Sequence, residues 1–308
     1  MNNLSKYLSY GYNTKIGKIA SLILPDNISI YFNDITNKIE SNHSSNDLII
    51  LNQVESNNSF VNQIKNICQN SNLEGVISCY VFGSIASNET NSYSDFDGIL
   101  IYDEHTLHSK NQISQLRRLI KQINLYSHLQ DSLQHHGIIV IGINELSNKN
   151  DELIFNLLKE ALVIYGGPAQ GKPQENRNCY TGPFIKLKKS ILHKLSSEEK
   201  WTNQYYFKNM LSELLLYPCS YLQFKNQKYI SKKDSFEIIK DIFNQQDIQT
   251  INQLEQIRLN WEQEKLNESS INQRTVAKFK KTQKTSIKDI ETMISIKPRL
   301  IELLNSRQ

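Results

Sequence analysis

The chain has no apolar run of about 18 residues, the length a membrane-crossing helix needs, so no membrane span is expected. Its beginning lacks the basic-then-apolar pattern of a secretory leader. The four cysteines, Cys68, Cys79, Cys179 and Cys219, form neither a CxxC pair nor a cysteine–histidine metal spacing. They read as buried reduced thiols, which fits a cytoplasmic location. An excess of charge of one sign is also missing: 35 basic residues against 31 acidic ones leave +4, without a dense basic stripe. That balance tolerates a polyanionic partner and does not demand one, so nucleic acid is possible but not favoured. The segment GGPAQGK lacks the preceding strand and the following Ser or Thr of a phosphate-binding P-loop, and reads as a linker.

What remains is globular. A chain of 308 residues with 39% hydrophobic and 21% charged content can bury two cores. The most informative stretch is ISCYVFGSIASNETNSYSDFDGILIY, residues 77–102. Two apolar runs, Val76 to Phe82 and Gly98 to Tyr102, have strand character and flank a short polar segment. The first run ends in Gly83-Ser84. A glycine there lets the backbone turn sharply and approach a ligand, and a helix opening at Ser84 would offer N–H groups to a phosphate. The second run is preceded by Ser94-Asp95-Phe96-Asp97. Side chains two apart on a strand share a face, so Asp95 and Asp97 are expected side by side. Two adjacent carboxylates repel each other, and a divalent cation removes the conflict, so the pair reads as a metal site.

The pattern G-S-x9-S-D-x-D between two strands resembles the signature of the polymerase-β-like nucleotidyltransferase superfamily, which includes antibiotic-adenylating and minimal enzymes. The resemblance implies an α+β fold: a small mixed sheet with helices, followed by an all-α helical-bundle domain. It implies transfer of NMP from an NTP to a hydroxyl acceptor, with pyrophosphate leaving. Asp95 and Asp97 would bind Mg²⁺ or Mn²⁺, and Gly83, Ser84 and Ser94 would hold the nucleotide, with ATP the first choice of donor. A third carboxylate commonly starts the next strand in this superfamily. Here Gly137 to Ile143 is that strand, and His135 or His136 stands at the matching position; the register is ambiguous by one residue. A histidine can accept a proton near neutral pH or ligate a transition ion. Asp131 lies further upstream and would need a bend to reach in.

Around this stretch the chain divides into an accessory segment 1–56, a catalytic domain 57–166, a linker 167–182 and a helical domain 183–308. Phe60, Ile64 and Ile67 recur at helical spacing, with Ser59 as an N-cap candidate. Leu116, Leu119, Ile120 and Ile123 mark an amphipathic helix, and residues 147–165 read as another. Asp103, Glu104, His105 and His108 read as a solvated loop and helix start. Helical segments are expected near 184–195, 198–217, 233–245, 247–268 and 272–306.

One run in the helical half, KYISKKDSF, looks similar to the tGkyiSKkea segment of aminoglycoside-type nucleotidyltransferases. That likeness makes Lys232, then Lys233, candidates for neutralising the triphosphate. The aromatic residues Trp201, Tyr205, Tyr206 and Phe207 read as core, and the basic run Arg274 to Lys288 as the wet face of a helix. A hydroxylated small molecule such as an antibiotic is the first acceptor expected, with tRNA or a protein as alternatives. A nucleotide-binding or antitoxin-like module without turnover is the competing reading, favoured by the absent third carboxylate.

Overall fold

The computed structural model describes residues 59–87, 90–107, 109–148, 158, 161–167 and 180–307. The accessory segment 1–56, His108, Cys179 and most of the linker lie outside them. By internal contacts the chain forms two compact units. Residues 94–130 and 136–174 belong to the first, together with the chain up to Thr90. The second takes Glu175–Gln308 and two short segments from further upstream, Asn91–Tyr93 and Asp131–His135.

The described part of the first unit runs α1 (Ser59–Asn70), β1 (Val76–Phe82), α2 (Gly83–Ala86), β2 (Asp97–Tyr102), α3 (Lys110–Gln130), β3 (Ile139–Gly142), α4 (Ile143–Asn148) and β4 (Leu162–Gly166). The sheet order is β3-β2-β1-β4. Strand β1 pairs antiparallel with both β2 and β4, whereas β2 and β3 run parallel across α3. A parallel pair needs such a crossover, and the 21-residue α3 supplies it. The central strands are covered on both faces, which is why they read as unbroken apolar runs. Cys79, Val81, Leu100, Tyr102 and Val140 face α1 and α3. Tyr80, Ile99, Ile101 and Ile141 point the other way, onto Leu146, Leu158 and Val163. Each such aliphatic side chain contributes about 1.5–3 kcal/mol by leaving water.

The second unit is all-α among its described residues: α5 (Thr181–Leu195), α6 (Gln204–Asn226), α7 (Lys232–Ile242), α8 (Gln245–Leu259), α9 (Gln273–Thr282) and α10 (Ile287–Ser306). Helix α6 is buried on most of its surface and packs against α5, α7, α8 and α9, as expected of a helix apolar nearly all round. Trp201 and Phe207 are fully buried in this core, with Tyr205 and Tyr206 partly so. A small mixed sheet with helices, followed by a helical unit, is the α+β architecture expected from the sequence.

Four expectations about elements need correction. The helix expected over 198–217 starts only at Gln204 and continues through Pro218 to Asn226. Residues 162–165, read as the end of a helix, form strand β4 with Gly166, where Val163, Ile164 and Tyr165 favour extended backbone. A strand therefore does precede GGPAQGK, which still lacks the following Ser or Thr of a P-loop. The helix expected over 247–268 stops at Leu259. The helix expected over 272–306 is two, because residues 283–285 bond in extended form to residues 202–204 and Ser286 caps a new start.

No described helix is long and apolar enough to cross a membrane. Cys68, Cys79 and Cys219 are buried and free of disulfides.

Candidate active site

The site is built at one end of the central strands. Phe82, the last residue of β1, pairs with Asp97, the first of β2, so Gly83 lies directly beside that carboxylate. Gly83 adopts φ +68°, a left-handed conformation that side chains disfavour. A Cβ there would also lie 2.7 Å from Asp97 Oδ2. The glycine is therefore needed twice, for the turn and for the approach. After it the chain makes a single helical turn, Gly83–Ala86, with no side-chain cap on its first N–H groups. Ser84 is half-buried within that turn.

Asp95 precedes β2 rather than lying within it. The alternation still holds, because Phe96 turns inward and is fully buried against Phe60, ring centroids 5.2 Å apart in an edge-to-face contact. With Phe96 anchored, Asp95 and Asp97 emerge together on the opposite side. Ser94 is buried just before them.

His136 completes the group. Its Nε2 lies 3.2 Å from Asp97 Oδ1 and 3.6 Å from Asp95 Oδ2. Burial opposes the charged imidazole, but the hydrogen bonds it donates to the Asp95 and Asp97 carboxylates, and their negative charges, outweigh it, so the pKa rises to about 10. Asn124 on α3, which sequence reasoning did not single out, fixes the chain just after this histidine: its Oδ1 accepts from Ile138 N at 2.7 Å.

Of the sequence candidates, Gly83, Asp95, Asp97 and His136 come together in the first unit, with Ser84 on the adjoining turn. His135 is half-buried and belongs to the segment 131–135 of the second unit. Lys232 and Lys233 are exposed in the first turn of α7, which Ser231 caps by accepting from Asp234 N. Asp131 is not a third site carboxylate: it is fully buried and salt-bridged to Lys208 at 2.6 Å. Glu104 does not face water as expected either. Its Oε2 accepts from Asn144 N at 3.1 Å, and burial raises its pKa.

Two carboxylates and an imidazole converging beside an open glycine form an oxygen-rich donor set that suits Mg²⁺, or Mn²⁺ with the imidazole as a further ligand.

Comparison with known proteins gives one family match. Residues 62–169 match the family described as "Polymerase beta, Nucleotidyltransferase". No curated relative matches. Among solved structures, a spectinomycin adenyltransferase from Enterococcus faecialis, crystallised with ATP and spectinomycin, shares 14% identity at a TM-score of 0.41. The match covers 72% of this chain and 96% of that one. Likeness at that level carries no argument about this chain.

Proposed function

Because residues 62–169 match the family described as "Polymerase beta, Nucleotidyltransferase", we propose that this chain transfers a nucleoside monophosphate from an NTP, ATP first, to a hydroxyl acceptor, with pyrophosphate leaving. The observation that carries the proposal is the convergence of Asp95, Asp97 and His136 beside the Gly83 turn. Asp95 and Asp97 would hold a divalent cation, and Ser94 is proposed to help hold the nucleotide. Such a cation, when bound, offsets triphosphate charge and lowers the pKa of the attacking hydroxyl. The Gly83–Ser84 turn offers main-chain N–H groups and one hydroxyl to phosphate oxygens, and its missing Cβ leaves them accessible. Since the turn is a single one, these donors act as individual hydrogen bonds rather than through a long helix dipole. His136 is protonated while the two carboxylates face it alone. With their charge offset by a cation they hold, the imidazole would release that proton and be left to accept the hydroxyl proton or to complete the metal's ligands. His135 is the lesser candidate for that role. Lys232, then Lys233, are proposed as the cations that neutralise the triphosphate. A hydroxyl-bearing small molecule such as an antibiotic is the first acceptor proposed.

The test offers each α-labelled NTP with Mg²⁺ or Mn²⁺ to the protein alone, to bulk tRNA and to a panel of hydroxylated antibiotics. Label is expected on one acceptor, and the Asp95→Ala/Asp97→Ala variant is expected to abolish it. Metal-dependent NTP binding without transfer to any acceptor would favour the non-catalytic module, in which His136 stands where the superfamily commonly has a carboxylate.

A further inference from the structure

Lys208 and Asp131 are both fully buried in the helical unit. A lysine is rarely found so deep without a specific partner. Its Nζ lies 2.6 Å from Asp131 Oδ2 and 4.8 Å from the centroid of the Tyr93 ring. Tyr93 in turn donates its hydroxyl to Lys208 O at 3.0 Å and sits 2.6 Å from Ser212 Oγ. Lys208 thus touches both upstream segments that belong to the helical unit, Asn91–Tyr93 and Asp131–His135.

Both segments are tied down further. The Tyr93 ring meets Trp261 edge-to-face at 5.3 Å, and Ser92 Oγ donates to Trp261 O. Asp131 Oδ1 accepts from Leu133 N at 3.0 Å and from Gln263 Nε2 at 2.8 Å. Ser132 Oγ accepts from Leu266 N at 2.8 Å. The chain places these anchors next to the chemistry. Tyr93 is two residues before Asp95, and the segment 131–135 ends one residue before His136. The peptide links hold the Asp95 backbone within about 7 Å of a fixed Tyr93.

We propose that Lys208 is a positioning residue for the metal-binding group: by holding Asp131 and Tyr93 together, it fixes the two segments from which Asp95 and His136 emerge. The inference rests on the nucleotidyltransferase reading above. Lys208 touches no reacting atom in this account. It acts through the register of the two segments, as outer-shell groups do when they orient metal ligands.

The test is Mn²⁺ binding to the full-length chain, followed by electron paramagnetic resonance. Lys208→Met alone removes the cation that faces the buried Asp131 carboxylate, so the decisive variant is Lys208→Met/Asp131→Asn. There the asparagine oxygen can keep the bonds from Leu133 and Gln263, and no charge is stranded. We expect this double variant to fold and to bind Mn²⁺ about tenfold or more weakly. Leu215→Ala, a core truncation on α6 that removes neither Lys208 nor Asp131, supplies a control for loss of stability and is expected to keep wild-type affinity. Affinity within twofold of wild type in the folded double variant would overturn the inference. So would an equal loss in Leu215→Ala, which would assign the effect to stability alone. Asp97→Asn separates the two levels. If Asp97→Asn weakens Mn²⁺ binding and the double variant does not, only the role of Lys208 fails. If Asp97→Asn has no effect, the metal-site reading fails and the inference with it.

Discussion

At the scale of single residues, the site depends on what can stand beside Asp97. Replacing Gly83 by alanine forces a side chain into left-handed backbone, at about 1–2 kcal/mol, and brings its Cβ against the Asp97 carboxylate. Chemical denaturation should register that loss, and Mn²⁺ affinity should fall with it; unchanged affinity would separate the turn from the site. Asp97→Asn removes one of two carboxylates while keeping shape. Losing several kcal/mol of charge stabilisation corresponds to a fall in transfer on the order of 10³-fold. Glu104 offers a test away from the chemistry. Burial raises its folded pKa above the ordinary 4.5, so the fold favours the protonated acid. Its stabilising contribution is complete below the unfolded value and is lost as pH rises through the folded one. Glu104→Gln should therefore flatten the decline of stability as pH rises above the ordinary glutamate value of 4.5. Identical slopes in the two proteins would contradict the assignment.

At the scale of elements, strand β4 shows what binds the sheet at its far edge. Gly166 ends it at φ +77°, and a Cβ at that residue would lie 1.9 Å from Ile77 O. Because that neighbour is backbone, Gly166→Ala should cost about 2–3 kcal/mol, toward the upper range for point substitutions, measurable by urea unfolding. The same strand shows where sequence reading stops. Strands β1 and β2 were legible because each apolar run is bounded by turn residues and is buried on both faces. The run at residues 161–165 is equally apolar but follows a helical pattern without a break, and a short apolar run fits either element. The paired aspartates and the glycine turn were legible from spacing alone. That His136 contacts Asp97 could not be read from the sequence, since it depended on where β3 begins. Helix limits in the second unit were harder. Asn272 and Ser286 cap α9 and α10, but in a chain crowded with Asn and Ser such caps do not stand out. The Lys208–Asp131 pair was invisible, because a lysine among apolar residues ordinarily reaches water.

At the scale of the whole molecule, the chain's two units do not follow its linear order. Tyr93 and Leu133 lie inside the span 57–166 expected as a catalytic domain, yet both are buried in the core of the helical unit. A fragment of residues 57–166 would expose them and lose the anchors of its site segments. We expect that fragment to lack a cooperative thermal transition while the full chain has one; a cooperative fragment would show that the segments hold their form unaided. The basic run has structural uses as well. Lys280 donates to Gln134 O and lies 4.5 Å from the centroid of the Tyr205 ring, which lessens the case for a nucleic-acid surface.

The central claim is that Asp95 and Asp97, beside Gly83, make a metal-dependent nucleotide site, and it can be tested before any acceptor is known. The measurement is calorimetric titration of ATP into the full chain, with and without Mn²⁺, for wild type and for Asp95→Ala/Asp97→Ala. The account predicts binding that requires the cation and disappears in the double variant. Equal ATP binding in all four titrations would contradict it.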